Sequence, residues 1–149
     1  MGKKIKRENV MIYRWVNENF PNALRWFRVR VGAIPDGPHP DLYAACRRWA
    51  DAVIFDKDTV YIVEAKVRPD AGAVSQLELY MMLFKETPEF QYLWNKKVKG
   101  IYLCGKDDEN IKRLCQKRNI KFVVYCPDWL NDYLCGGEGN PWKKPENHQ

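Results

Sequence analysis

The pattern of apolar and polar residues divides this chain into short elements of alternating type. Between Glu8 and Phe20 the apolar residues recur at helical spacing, and Pro21 ends the pattern. Residues 24–31 alternate as a strand does. The expected faces of that strand hold Trp26, Arg28 and Arg30 on one side and Phe27, Val29 and Val31 on the other.

The centre of the chain predicts a hairpin, with two β-rich apolar runs at 52–55 and 60–63 and a polar turn between them. A loop is expected at 33–40 and a short helix at 41–48. The remaining patterns predict helices at 73–86, 107–118 and 128–134, and strands at 98–104 and 120–125.

This order of elements predicts an α/β fold with a mixed central sheet flanked by helices, in the sequence α-β-β-β-α-β-α-β. With 149 residues the chain suits one domain, expected at 1–135, and the glycine-rich residues 136–149 are expected to form a flexible tail.

The charge of the chain favours a polyanionic partner. Its 25 Lys and Arg against 19 Asp and Glu give a formal charge of +6, and nucleic acid is a common partner for such a domain. No apolar run is long enough to predict a membrane span, and the start MGKKIKREN is not followed by the apolar region of a signal peptide. Five cysteines in such a chain indicate reduced thiols and a cytoplasmic location.

The hairpin register places two acids together. If Phe55 faces Val60, Asp51 faces Glu64, and Lys66 lies on the same face. Opposed residues have Cβ atoms roughly 4.5 to 5.5 Å apart, so two carboxylates there repel unless a divalent cation such as Mg²⁺ lies between them. The alternative is a solvated strand face, but Glu64 interrupts an apolar strand, where an unpaired charge is unfavourable.

The sequence Asp51, a turn, then Glu64-Ala65-Lys66 resembles the signature of the PD-(D/E)XK nuclease superfamily. Gln76 and Tyr80, four residues apart and so on one helix face, resemble the Q-x-x-x-Y motif of its RecB-like branch. The resemblance implies a restriction-endonuclease-like core and a metal-dependent phosphodiester hydrolase that acts on DNA.

The resemblance also implies roles for individual residues. Asp51, Glu64 and the backbone carbonyl of Ala65 would bind Mg²⁺ or Mn²⁺, Lys66 would be the catalytic lysine, and Gln76 and Tyr80 would lie beside the site. An acid from the first helix would complete the ligands in many members, and either Glu8 or Glu18 fits. The dipeptide Pro40-Asp41 is a rival to Asp51, but Asp41 lies in a proline-rich loop.

Five arginines are candidates for phosphate contacts because they lie near the site or share a strand face. They are Arg28, Arg30, Arg47, Arg48 and Arg68. The five cysteines form no close pair of the kind that metal clusters favour, so an iron–sulfur cluster is not expected.

The expected function is therefore a DNA nuclease that acts on ends, single strands or branched structures in repair, recombination or processing. A homodimer or a larger DNA-processing complex is expected, and a stand-alone core of this size would suit a virus, with action in the host cytoplasm, or a mobile element. The alternatives are a Holliday-junction resolvase of the same superfamily and a non-catalytic nucleic-acid-binding subunit that retains the fold.

Overall fold

The computed structural model describes residues 7–35 and 47–142 and contains one five-stranded sheet with helices on its faces. The strands are β1 (Leu24–Val31), β2 (Arg48–Asp56), β3 (Thr59–Lys66), β4 (Lys97–Cys104) and β5 (Ile120–Val124). The helices are α1 (Arg7–Asn19), α2 (Ala71–Phe84), α3 (Glu109–Lys117) and α4 (Asp128–Leu134), with a 3₁₀ helix at Pro88–Leu93. The strands follow chain order, antiparallel from β1 to β3 and parallel from β3 to β5. The predicted α/β class, mixed sheet and order of elements are confirmed.

The two faces of the sheet are covered by different helices. Residues of α2, including Val74, Leu77 and Phe84, pack with Val53 and Ile62 on one face. The opposite face packs against α1 and α4 in a second apolar cluster. That cluster includes Met11, Val16, Ile54, Val63, Leu103 and Leu130. The carboxyl end of β3 therefore lies between α1 on one side and α2 on the other.

Most element bounds differ from the expected ones by one or two residues, but β2 starts four residues before its expected apolar run at 52–55. Strand β2 begins at Arg48, so the short helix expected over 41–48 does not reach that residue, and residues 41–46 lie outside the described ranges. Arg48 pairs with Val31 because the first two strands form a longer ladder than their apolar runs indicate. Asp41, the rival acid, also lies outside the described residues.

The hairpin between β2 and β3 has the predicted register. Phe55 pairs with Val60, and the two-residue turn at Lys57 and Asp58 has φ values of 47° and 69°. Positive φ at both central residues is the geometry of a type I′ turn, whose twist matches that of the strands. The turn thus fixes which residues of the two strands face each other.

Strand β1 departs from strict alternation at Arg28. This residue has φ of +49°, a left-handed conformation that is uncommon for a side chain other than glycine, asparagine or aspartate. Phe27 packs on the α1 face of the sheet, whereas Val29 and Val31 pack on the α2 face with Trp26. The expected placement of Phe27, Val29 and Val31 on one side was therefore wrong, because the backbone at Arg28 reverses the alternation.

Residues 136–142 return to α1. Arg7 and Arg14 donate hydrogen bonds to the carbonyl oxygens of Glu138 and Pro141, at 2.6 and 2.9 Å. The expected domain boundary at 135 stays a prediction, and residues 143–149 lie outside the described part of the chain. Within residues 7–35 and 47–142, no helix has both the length and the apolar character needed to cross a membrane.

Candidate active site

A cleft of about 590 Å³ opens where β2 begins and β3 ends, between the start of α1 and the middle of α2. The residues that line it come from five elements of the fold. They are Glu8, Asn9, Arg28, Trp49, Asp51, Glu64, Ala65, Lys66, Gln76 and Tyr80. All five residues expected to be catalytic therefore lie in one cleft, although they are spread over 30 positions of the sequence, 51–80.

Asp51 lies where the paired part of the β2–β3 hairpin ends. The pairs run from Asp56 and Thr59 to Ala52 and Val63. One residue before Ala52, Oδ2 of Asp51 accepts a hydrogen bond of 3.0 Å from the backbone N–H of Ala65. The side chain thus replaces a strand–strand bond and holds its carboxyl group against β3.

Glu64 is buried beside Asp51, with 7% of its surface exposed. Burial is the largest cause that raises its pKa, from 4.5 to about 9, and the neighbouring charge of Asp51 adds to it. Burial also raises the pKa of Asp51, against the opposing effect of its hydrogen bonds with Ala65 and Glu64. In the absence of a cation, the geometry favours a protonated Glu64 that donates a hydrogen bond to an ionised Asp51.

The pair of carboxyl groups suits a divalent cation. Oε2 of Glu64 is buried and has no hydrogen-bond partner among the described residues, and such an atom is unfavourable unless something binds it. Carboxylate and carbonyl oxygens are the ligands that Mg²⁺ and Mn²⁺ prefer. Over residues 7–35 and 47–142, no group of three or more His, Cys, Asp or Glu side chains forms a ready metal site. Asp51, Glu64 and the Ala65 carbonyl therefore fit a cation whose other ligands are water or substrate.

The structure separates the two acids of the first helix. Glu8 lines the cleft, and its charge raises the pKa of both Asp51 and Glu64. Glu18 lies ten residues further along α1, roughly 15 Å by helix rise, where its charge raises the pKa of Tyr125. Of the two acids, Glu8 is the one near the carboxyl pair.

Lys66 brings a positive charge into the cleft at the end of β3. Its charge lowers the pKa of both Asp51 and Glu64, so it favours their ionised forms. Its side chain is half-buried. A fixed ammonium group beside two acids can also stabilise a phosphate in the same cleft.

Gln76 and Tyr80 meet on the face of α2 that borders the cleft. Burial, followed by the charges of Glu64 and Asp51, raises the pKa of Tyr80, and the neighbouring Gln76 side chain opposes that rise. Gln76 is exposed, whereas Tyr80 is 4% exposed. The spacing of four residues therefore places both groups beside the acids, as a shared helix face predicts.

The five candidate arginines occupy different environments. Arg28 is exposed and lines the cleft, and the positive charge of Arg48 lowers the pKa of Tyr80. Arg30 packs over Trp49, and Arg68 lies over Tyr133. Arg47 differs because its side chain is 2% exposed and forms an ion pair of 2.6 Å with Glu89. Its guanidinium supports the start of β2 and does not face the solvent.

Two residues of the cleft were not singled out from the sequence. Asn9 follows Glu8 at the start of α1, and Trp49 precedes Asp51 by two residues on β2. Trp49 is 46% exposed, an unusual position for the largest apolar side chain. A tryptophan so close to a candidate acid, with arginines on the neighbouring strand, is a signal that the sequence contained.

Comparison with known proteins supports the fold assignment. No protein-family model matches the chain, and no curated protein matches it. A repair endonuclease from Pyrococcus abyssi has a similar structure, with a TM-score of 0.54 and 22% identity over 85% of this chain and 50% of that chain. A complex described as EndoMS with double-stranded DNA gives a TM-score of 0.52 and 21% identity over 85% of this chain and 48% of the other.

EndoMS without DNA is also similar, with a TM-score of 0.51 and 24% identity over 84% of this chain and 49% of that chain. The fold is therefore an α/β fold with a restriction-endonuclease-like core, which these three solved structures share. This chain spans about half the length of each of the three.

Proposed function

We propose that this chain is a divalent-metal-dependent DNA nuclease of the PD-(D/E)XK type. The observation that carries the proposal is the buried carboxyl pair, in which Oε2 of Glu64 has no partner and Asp51 is held in contact. Two of the similar structures favour DNA as the substrate, since one is described as a repair endonuclease and the other as a complex with double-stranded DNA. Gln76 and Tyr80, neighbours on one face of α2 in the same cleft as the acids, favour the RecB-like branch.

The proposed metal ligands are Asp51, Glu64 and the backbone carbonyl of Ala65, with Mg²⁺ or Mn²⁺ as the cation. When bound, such a cation lowers the pKa of a water molecule and neutralises charge on the phosphoryl group. Glu8 lines the same cleft and is proposed to orient a water molecule there. Binding favours the ionised form of both acids, so Glu64 must release its proton before it can act as a ligand.

Lys66 is proposed to act on the attacking water and the phosphate. Its ammonium group can hold the water by a hydrogen bond, and its charge opposes the negative charge that develops on the phosphoryl oxygens. Tyr80, beside Gln76 on α2, is proposed to position the carboxyl pair. Arg28, which lines the cleft, and Arg48, whose charge acts on Tyr80, are proposed to contact the DNA backbone.

A cleavage assay tests this proposal directly. The chain would be incubated with Mg²⁺ or Mn²⁺ and with single-stranded, duplex, flap and four-way-junction DNA. We expect cleavage that EDTA abolishes, and we expect Glu64→Gln and Lys66→Ala to reduce its rate by at least about a hundredfold. Glu86→Gln and Lys97→Ala, at exposed positions outside the cleft, provide matched controls that should retain wild-type rates.

Two results would contradict the proposal in different ways. Cleavage by Glu64→Gln and Lys66→Ala at the wild-type rate would show that the site is elsewhere. Salt-dependent DNA binding without cleavage under either cation would favour a non-catalytic subunit. Symmetric cuts across a four-way junction, made by a dimer in sedimentation, would favour the resolvase alternative over the RecB-like branch.

A further inference from the structure

Trp49 forms an aromatic surface at the rim of the cleft. The indole is 46% exposed although it lines the same cleft as Asp51 and Glu64. The guanidinium carbon of Arg30 lies 4.5 Å from the ring centroid, and that of Arg28 lies 5.7 Å away. A large flat ring, two cations and two candidate metal ligands thus share one small region.

We propose that Trp49 is a stacking platform for an unpaired nucleobase, so that the substrate is single-stranded or locally unpaired DNA. This inference rests on the proposed nuclease function of the same cleft and specifies its substrate. Stacking on an aromatic ring needs an open base face, which a base inside a duplex does not offer. Arg28 and Arg30, beside the ring, would attract the phosphates that flank the stacked base.

The position of Trp49 predicts how far the stacked base lies from the phosphate that is cleaved. Trp49 and Asp51 are two residues apart on β2, a separation of about 7 Å at the usual strand rise. That distance is on the order of two nucleotides at the base spacing of DNA. The scissile phosphate is therefore expected within about two nucleotides of the base that stacks on Trp49.

Binding of DNA in EDTA tests the platform separately from cleavage. The probes are a fluorescein-labelled single-stranded oligonucleotide and the same sequence as a blunt duplex, both measured by anisotropy. Trp49→Leu keeps the apolar bulk without a ring, Trp49→Phe keeps a smaller ring, and Tyr92→Leu removes an aromatic side chain that is 62% exposed outside the cleft.

We expect Trp49→Leu to weaken binding of the single strand by about fivefold to a hundredfold, as loss of one stacked base predicts. The same variant should weaken duplex binding much less, Trp49→Phe should retain most of the affinity, and Tyr92→Leu should change neither. A 2-aminopurine in the oligonucleotide should lose fluorescence on binding to the wild type and not on binding to Trp49→Leu. Each variant is first checked by thermal denaturation, since the indole also packs against Arg30.

Equal loss of affinity for single-stranded and duplex DNA in a folded Trp49→Leu variant would overturn the proposal, and so would no loss at all. If the wild type cleaves DNA and Trp49→Leu binds single strands normally, the nuclease function stands and the platform fails. If the wild type binds single strands through Trp49 without cleaving under any divalent cation, the platform stands and the nuclease function fails.

Discussion

Replacement of Glu64 by glutamine should stabilise the metal-free protein, and increasingly so as the pH rises. Burial raises the pKa of Glu64 from 4.5 to about 9 in the folded chain, so the folded state keeps a proton that the unfolded state loses. For a group whose pKa is higher when folded, the contribution to stability is complete below about pH 4.5 and is lost as the pH rises toward about 9. Glutamine mimics the protonated form and does not titrate.

The size of the effect follows from the gap between the two pKa values. A pH of 7 is about 2.5 units above the pKa of 4.5 that Glu64 has in the unfolded chain, and each unit corresponds to about 1.4 kcal/mol. The wild type should therefore lose on the order of 3 kcal/mol of unfolding free energy, relative to Glu64→Gln, between about pH 4.5 and pH 7. Urea denaturation in EDTA at several pH values measures this difference.

The control is Glu86→Gln, a change of the same kind at an exposed position just after α2. Its unfolding free energy should follow that of the wild type at every pH, because its environment is water. A constant difference between Glu64→Gln and the wild type from about pH 5 to pH 8 would refute the reasoning. It would mean that the Glu64 carboxyl group is not held protonated beside Asp51.

Three further predictions concern the same cleft. Millimolar Mg²⁺ should raise the melting temperature of the wild type near pH 8, because binding at a hundredfold excess over Kd adds about 2.7 kcal/mol to the unfolding free energy. The melting temperature of Glu64→Gln should stay almost unchanged, and equal shifts for both proteins in calorimetry would exclude this site. Because Arg28 has a left-handed backbone, Arg28→Gly should be more stable than Arg28→Ala by about 1 kcal/mol in urea denaturation. At the control position Lys121 on β5, the alanine variant should be more stable than the glycine variant. The same order at both positions would show that the backbone at Arg28 is not strained. Tyr80→Phe, which removes the hydroxyl group beside Gln76 and the acids, should slow single-turnover cleavage while it changes stability by only about 1 kcal/mol. An unchanged rate would exclude a positioning role for Tyr80.

Local sequence patterns were sufficient to predict the sheet and the central residues of the candidate site. The apolar runs on either side of a polar turn determined the hairpin register, because a shift by one residue would move every buried side chain to the other face. The same register brought Asp51 to Glu64, and helical spacing brought Gln76 to Tyr80. These relations depend on residues close in sequence or paired across one turn.

The parts that the sequence did not predict depend on contacts between distant elements. The choice between Glu8 and Glu18 required the angle at which α1 crosses the sheet, and the sequence carries no local signal for that angle. Arg47 was expected to contact DNA, but its partner Glu89 lies 42 residues away in the 3₁₀ helix. The reversal at Arg28 required a backbone conformation that its residue type disfavours.

Three features of this cleft are unfavourable for folding, each for a different physical reason. A carboxyl oxygen of Glu64 is buried without a partner, Arg28 has a left-handed backbone, and Trp49 leaves almost half of its surface in water. Folding alone would favour an apolar residue, a glycine and a polar residue at these positions. Because such departures from local preference cluster where a protein binds or reacts, their coincidence supports a functional cleft independently of the motif. The net charge of +6 can attract DNA from any direction, whereas these three residues specify the place where an unpaired strand would meet the two carboxyl groups.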